Sequence, residues 1–391
     1  MIASHKTHLA AWLPCLALAV SFSACAQTLV KSKPAAARAK PPSVKAKPPS
    51  VPAKTTLVSA SPSPNFTSHN AAWIGHAFVA TASVVESVPQ MCAFMRDHKI
   101  DTLFVNLGRH DKTGKRAAAV PQLKRFLAAL NDWEVANQQH FQLFGWLNGS
   151  LDEKSERFLD LSQPLLRRVM LDEVRRFCDP KIEGSYVADA ARGFDGIQYD
   201  LEPSGTSDPL FANLLVFMRE LREAVGPGKK TSFTAHKWGD GDKGRYWWSS
   251  DFYFRMAPVV DVLCAMCYDT GLKDEGAYRI WMKEQTTGIL RAVSGQKWND
   301  DAHPIPLNKS QIYIGFPAFP KNNYHDLAGE TMKAAAQGTK NGLGELSTAK
   351  DPWLPLMAGA AVYLYTDGMG TDGYSGPADW AAFQREWLGL P

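Results

Sequence analysis

Cysteine is scarce in this chain, six among 391 residues. Cys15 and Cys25 fall in the leader, which leaves Cys92, Cys178, Cys264 and Cys267 for the folded part. That number excludes a small scaffold stapled by disulfides; a Cys92–Cys178 bridge stays open. Cys264 and Cys267 form a lone Cys-x-x-Cys inside an apolar run, where they should point to opposite faces. A second such pair and a His-x-x-x-His are both missing, so no metal site is expected. Net charge is low, +4, and the basic excess sits in a proline-rich stretch. The folded part therefore gives no reason to expect a nucleic-acid partner. No Gly-x-Gly-x-x-Gly follows the first strand signal and no phosphate loop occurs, so no nucleotide or other organic cofactor is implied.

Long apolar runs are also missing. Leu9–Phe22 is too short and too poorly flanked for a membrane span. Behind Lys6 it reads as the apolar core of an export signal. Phe22-Ser23-Ala24-Cys25 resembles a lipoprotein processing site, at which Cys25 would carry the lipid. Ala24-Cys25-Ala26 would instead suit ordinary cleavage before Gln27. The lipoprotein reading is favoured, and both put the mature protein outside the cytoplasm, in the periplasm or anchored to the outer membrane. Residues 27–70 follow as a linker rich in Pro, Lys and Ala, with Ala-Lys-Pro-Pro-Ser-Val at both Ala39–Val44 and Ala46–Val51. Such a composition cannot bury a core and favours extended backbone. The boundaries are thus leader 1–26, linker 27–70 and folded domain 71–391, expected to be a monomer.

Within the folded domain, apolar β-prone runs lie at Ile74–Ala80, Thr102–Leu107, Phe141–Leu147, Gly196–Leu201, Thr231–Ala235, Val262–Tyr268, Ile312–Phe316 and Gly359–Tyr365. Amphipathic stretches separate them. Leu123, Phe126, Leu127 and Leu130 share one helical face, as do Leu166, Met170, Val174 and Phe177. A helix at Leu210–Leu221 would start from an Asp208 cap with Pro209 in its first turn. Further helices are expected at Pro89–His98, Glu275–Ser294, Leu327–Gly338 and Trp380–Leu388. Eight strands with intervening helices predict an α/β fold, a (β/α)8 TIM barrel, whose functional groups gather at the C-terminal strand ends.

The fourth strand signal is the most informative. In Asp195-Gly196-Ile197-Gln198-Tyr199-Asp200-Leu201-Glu202, period-two alternation puts Gln198, Asp200 and Glu202 on one face. Two carboxylates side by side raise each other's pKa, an arrangement used for proton transfer. The run resembles the Asp-Gly-x-Asp-x-Asp-x-Glu signature of glycoside hydrolase family 18, the chitinases and endo-β-N-acetylglucosaminidases. Met266-Cys267-Tyr268-Asp269 is similar to that family's sixth-strand motif, and Gly315-Phe316-Pro317 to its seventh. The resemblance implies a TIM-barrel glycosidase acting on a glycan. Glu202 would be the general acid, and Asp200 would orient the substrate's own acetamido group as nucleophile, a recognised alternative to a protein nucleophile. Tyr268 would hydrogen-bond the acetamido carbonyl, with Asp269 and Met266 lining that subsite.

Two positions depart from the family pattern. Gln198 replaces an acid that shares a proton with its neighbour, and Tyr363 and Tyr365 stand where a tryptophan platform is usual, with Tyr365 taken as substrate-binding. His236, Lys237 and Trp238 after the fifth strand are further candidates for sugar contact, as are Trp247 and Trp248; the large aromatics would otherwise pack beneath a loop. Asn106, Arg109, His110 and Asp111 belong to the correct end of the barrel or to a solvated loop. Two other readings compete: a glycan-binding barrel without turnover, prompted by Gln198, and a hydrolase pairing Glu202 with Asp269 or Asp367.

Overall fold

The computed structural model describes residues 66–205, 207–241, 243–295, 310–319, 323–366 and 377–390. The leader, Cys25, linker residues 27–65 and Asp367 lie outside the described residues. Among the described residues eight parallel strands close into a barrel: β1 (Asn70–Ile74), β2 (Ile100–Arg109), β3 (Gln142–Ser150), β4 (Gly196–Glu202), β5 (Lys230–Ala235), β8 (Val262–Ala265), β9 (Gln311–Pro317) and β10 (Met357–Tyr365). Pairing of β1 with both β2 and β10 completes the circle, which rules out an open doubly wound sheet. Two short strands, β6 (Lys237–Trp238) and β7 (Trp247–Trp248), pair as a ribbon in the excursion after β5.

Two apolar layers hold this architecture. Trp73, Phe104, Phe144, Trp146, Cys264 and Tyr313 fill the barrel interior. A larger cluster packs the outward strand faces against the helices. Cys264 belongs to the inner layer and Cys267 to the outer, so the two thiols do point apart. Cys92 and Cys178 are buried and not bridged.

The helices around the barrel include α1 (Ala77–Ala80), α2 (Ala82–Val85), α3 (Val88–Asp97), α4 (Leu123–Asn137), α5 (Pro164–Cys178), α6 (Asp208–Val225), α7 (Ser250–Met256), α8 (Glu275–Ser294), α9 (Met332–Thr348) and α10 (Pro377–Ala382). None of the described helices is long and apolar enough to cross a membrane. Three local expectations are corrected. The first strand precedes the run Ile74–Ala80, most of which turns helical as α1. Polar Asn70 opens that strand because its amide donates to the carbonyls of Thr67 and Lys99 and accepts from the Trp387 indole at 2.7 Å. Helix α6 is capped by Ser207, whose hydroxyl accepts from Leu210 N–H, rather than by Asp208.

The third correction concerns α9, which starts five residues later than expected and runs well past Gly338. Thr331 caps it by accepting from Ala334 N–H at 3.1 Å. Gly338 does not stop the helix, because it lies against α8: a Cβ there would come within 2.3 Å of the Arg279 carbonyl oxygen. The glycine serves close helix packing instead.

Candidate active site

Strand β4 behaves as its alternation demands. Ile197, Tyr199 and Leu201 face outward into the helix layer. Tyr199 shares a hydrogen bond with buried His110, 3.0 Å between hydroxyl and Nε2, so His110 belongs to the packing and not to a solvated loop. Gly196 opens the strand where Phe144 presses close; a Cβ would lie 2.5 Å from that ring. The inward residues climb from the interior to the mouth in the order Gln198, Asp200, Glu202.

Gln198 is fully buried and does not reach toward a substrate. Its Oε1 accepts from the Trp73 indole N–H at 2.7 Å, and its Nε2 donates to Ser232 Oγ at 3.0 Å and Cys264 Sγ at 3.4 Å. The indole has only a donor to offer, which fixes the amide orientation. All three partners come from other strands, and none is Asp200.

Asp200 instead accepts a hydrogen bond from the Thr234 hydroxyl of β5, Oγ1 to Oδ1 at 2.7 Å. The Trp146 indole N–H is buried and meets no acceptor at strict hydrogen-bond geometry, yet it lies close enough to Asp200 to favour the carboxylate. Burial raises the pKa of Asp200, while Thr234, Arg109 and Trp146 oppose that shift. Arg109 holds its own place through Asn148, at 3.2 Å.

Glu202 ends the strand at the floor of a cavity of about 440 Å3. Protein surrounds its carboxyl, yet 39% of the side chain stays reachable from the cavity. Burial and the neighbouring Asp200 charge push its pKa up to about 8, with Asp269 adding to the rise and Lys237 and Arg109 opposing it. A carboxyl so placed is protonated at neutral pH and still open to a ligand, as a general acid must be.

The cavity walls come from β5, its excursion and the loops after β8 and β9. They include His236, Lys237, Tyr246, Trp247, Met266, Tyr268, Asp269, Thr270 and Tyr324. Tyr324 is 70% exposed at the rim. Lys237 donates to the carbonyls of Tyr268 and Asp269 at 3.4 and 3.2 Å. Burial lowers its pKa, against the pull of Asp269 and Glu202. Tyr268 stacks on Tyr363, ring centroids 5.4 Å apart.

Glu330, which carried no local signal in the sequence, shapes this wall from behind. Its buried carboxylate accepts the backbone N–H groups of Asp269, Thr270 and Gly271 at 2.8, 2.7 and 2.8 Å. The Thr270 hydroxyl adds a contact at 2.6 Å and His325 Nδ1 one at 3.0 Å. Asp269 sits there with φ of +55°, a left-handed backbone that an L residue adopts only when its surroundings enforce it. Burial alone would raise the pKa of Glu330, but His325 and Thr270 outweigh it and hold the acid below its ordinary range.

Of the site residues expected from sequence, the structure gathers Glu202, Asp200, Tyr268, Asp269, Met266 and His236 at one mouth. Three lie elsewhere. Gln198 is in the interior layer, as described. Trp238 packs over Gly288 of α8 with its indole N–H on Ser250 Oγ at 3.1 Å. Tyr365 turns outward against Phe78 and Phe94, ring centroids 5.9 and 5.3 Å away. Tyr246, Thr270 and Tyr324 line the cavity without having been singled out as contacts. Among the described residues no group of three His, Cys, Asp or Glu side chains is placed to hold a metal ion.

No model of a known family matches the sequence, and no curated protein matches it. Solved structures do. A class V chitinase from Pseudomonas fluorescens is similar at 15% identity over 81% of this chain and 98% of its own, with a TM-score of 0.47. A chitinase from Chromobacterium violaceum is similar at 12% identity over 83% and 100%, with a TM-score of 0.49. A spore cortex-lytic enzyme from Bacillus cereus is similar at 12% identity over 82% and 74%, again with a TM-score of 0.49. The chain itself forms a closed parallel (β/α)8 barrel, with its acidic run on the fourth strand.

Proposed function

We propose that the protein is an exported glycoside hydrolase that cleaves a polysaccharide containing amino sugars. The observation that carries this reading is the placement of Glu202: an accessible carboxyl at the floor of an aromatic-lined cavity, at the C-terminal end of β4, with Asp200 one pleat below. That is where a (β/α)8 barrel concentrates its chemistry.

In this reading Glu202 gives its proton to the glycosidic oxygen as the bond to the anomeric carbon breaks. The substrate's acetamido oxygen attacks that carbon from the opposite side. Asp200, held by Thr234, accepts the acetamido N–H and balances the positive charge that grows on the ring so formed. Tyr268 and Asp269 bound the same pocket and fix the acetamido group. The Glu202 carboxylate then takes a proton from the water that opens the intermediate, which restores the acid.

Wild type and Glu202→Gln would be incubated with peptidoglycan, chitooligosaccharides and a deacetylated glucosamine polymer, with products read by mass spectrometry. Product from wild type alone is expected. Equal cleavage by both proteins would sink the assignment of Glu202. Equal cleavage of acetylated and deacetylated polymers would remove the acetamido group from the mechanism and bring in Asp269 as a second protein carboxylate. Binding with no product from any polymer would support the second reading, a glycan-binding barrel, which Gln198 motivates because it cannot exchange a proton with Asp200.

A further inference from the structure

His236 follows β5 directly, is 2% exposed and stands beside the acid. Its Nε2 accepts the backbone N–H of Ser204 at 2.9 Å. A ring nitrogen that accepts carries no proton, so in the neutral ring the hydrogen must be on Nδ1. Nδ1 lies 3.6 Å from Glu202 Oε1, just outside hydrogen-bond range. The ring is well fixed. Its main-chain carbonyl accepts from the Tyr253 hydroxyl, and its edge meets Tyr246 at 5.3 Å. Ser204 is tied down a second time by the Trp248 indole, Nε1 to Oγ at 3.1 Å. Imidazole and carboxyl are therefore registered on one frame, two residues after Glu202.

We propose that His236 is a positioning residue for Glu202, whose Nδ1–H closes onto Oε1 when the carboxylate forms. This rests on the reading of Glu202 as the acid, and it replaces the expectation that His236 contacts sugar. Catalytic hydrogen bonds are often long in the absence of substrate and tighten along the reaction. A neutral donor suits the task because it favours the charged product of proton transfer without adding a charge beforehand. Burial and Lys237 hold the pKa of His236 down to about 3, so the ring stays neutral across the working range. The other groups that face Glu202 are Asp200 and Asp269, which raise its pKa, and Lys237 and Arg109, which lower it. Tyr246 of the excursion, Tyr268 and Tyr363 add hydroxyls.

Two substitutions separate this role from simple capping of Ser204. In His236→Asn the amide N–H can replace Nδ1–H, but the acceptor for Ser204 is lost. In His236→Gln the amide oxygen can replace Nε2, but the donor to Glu202 is lost. The readout is the Glu202 titration, followed by 13C NMR of labelled glutamate in the full chain, beside the pH profile of kcat. The expected result is that Gln moves the Glu202 midpoint upward by about one unit, as loss of a hydrogen bond to the charged form should. The kcat of that variant should fall roughly tenfold with KM unchanged, and Asn should restore the wild-type midpoint. A midpoint unmoved in Gln overturns the proposal.

In the wild type itself, 15N NMR of labelled histidine should show protonated Nδ1, with a shift that follows the Glu202 titration. An Nε2–H tautomer overturns the proposal even if both variants fail to fold. If the wild type releases no product from any glycan, the hydrolase reading fails, while the two titrations still decide the role of His236.

Discussion

The two ends of β4 carry acids of the same run under opposite conditions. At the start, Asp195 accepts the Leu143 N–H at 2.8 Å and pairs with Arg192 at 2.8 Å. Arg192 in turn binds Glu134 at 2.5 Å, so the lower end is a compensated ionic cluster that ties β3, α4 and β4 together. At the other end, no Lys or Arg among the described residues lies within hydrogen-bond distance of Glu202, and Lys237 donates to backbone carbonyls. Acids arranged for stability are matched to partners at once. Acids arranged for chemistry are left with unmet demand, which shows as an elevated pKa. Between them, buried and neutral Gln198 resembles the lower end only in that its polar atoms have partners.

This contrast breaks most sharply at Glu202. Glu202→Gln should cut turnover by about 10²–10⁴-fold, the usual worth of a general acid, with thermal unfolding undiminished. Stability should even rise at neutral pH, since an acid with a raised pKa favours the fold below its unfolded value and loses that contribution as pH climbs through about 8. Circular dichroism melts beside steady-state rates would read both effects.

The pH profile tests the same demand without a mutation. Glu202 acts when protonated, so kcat/KM should decline above pH about 8, by about tenfold per further unit. An alkaline limb starting near pH 5 would mean that the acid at this mouth carries an ordinary pKa.

Glu330 extends the comparison to a buried acid that is fully met. Glu330→Gln would set an amide N–H against the N–H groups of the loop it holds, and should cost about 3 kcal/mol in urea unfolding, with a drop in kcat as Asp269 shifts. The pKa of Glu330 is depressed, so its stabilisation is present above the unfolded carboxyl value and disappears as pH falls through the folded one. Below that, Gln198→Met should cost about 1–3 kcal/mol by orphaning the Trp73 indole and Ser232, with kcat of the folded protein near wild type. A large loss of kcat at unchanged stability would return Gln198 to the catalytic group. Smallest of all, Trp238→Phe should cost about 1 kcal/mol, one hydrogen bond, and leave KM unaltered, whereas Trp247→Ala should raise KM.

Much of the barrel was legible because its strands and amphipathic helices repeat two simple periods. The face of Asp200 and Glu202 followed from alternation alone. The partners of Gln198 did not, since Trp73, Ser232 and Cys264 come from three distant strands. Tyr363 and Tyr365 share parity in an ideal strand and should face together. The pairing of β1 with β10 slips, however, with Ala72 opposite Val362 but Ile74 opposite Tyr365. That extra residue on β10 separates the two tyrosines, as a bulge does. The excursion after β5 escaped a strand reading because its two strands are only two residues each.

The Glu330 clamp has one further consequence. It holds the wall of the cavity through three main-chain N–H groups, which every residue except proline possesses. The clamp thus survives a change of side chain at position 269, whereas Thr270 adds its hydroxyl to the clamp and Gly271 takes a positive φ of 71°. A lineage could exchange Asp269 to suit a new ligand and keep all three main-chain bonds, and the ordering of that loop is completed in folding rather than charged to each binding event.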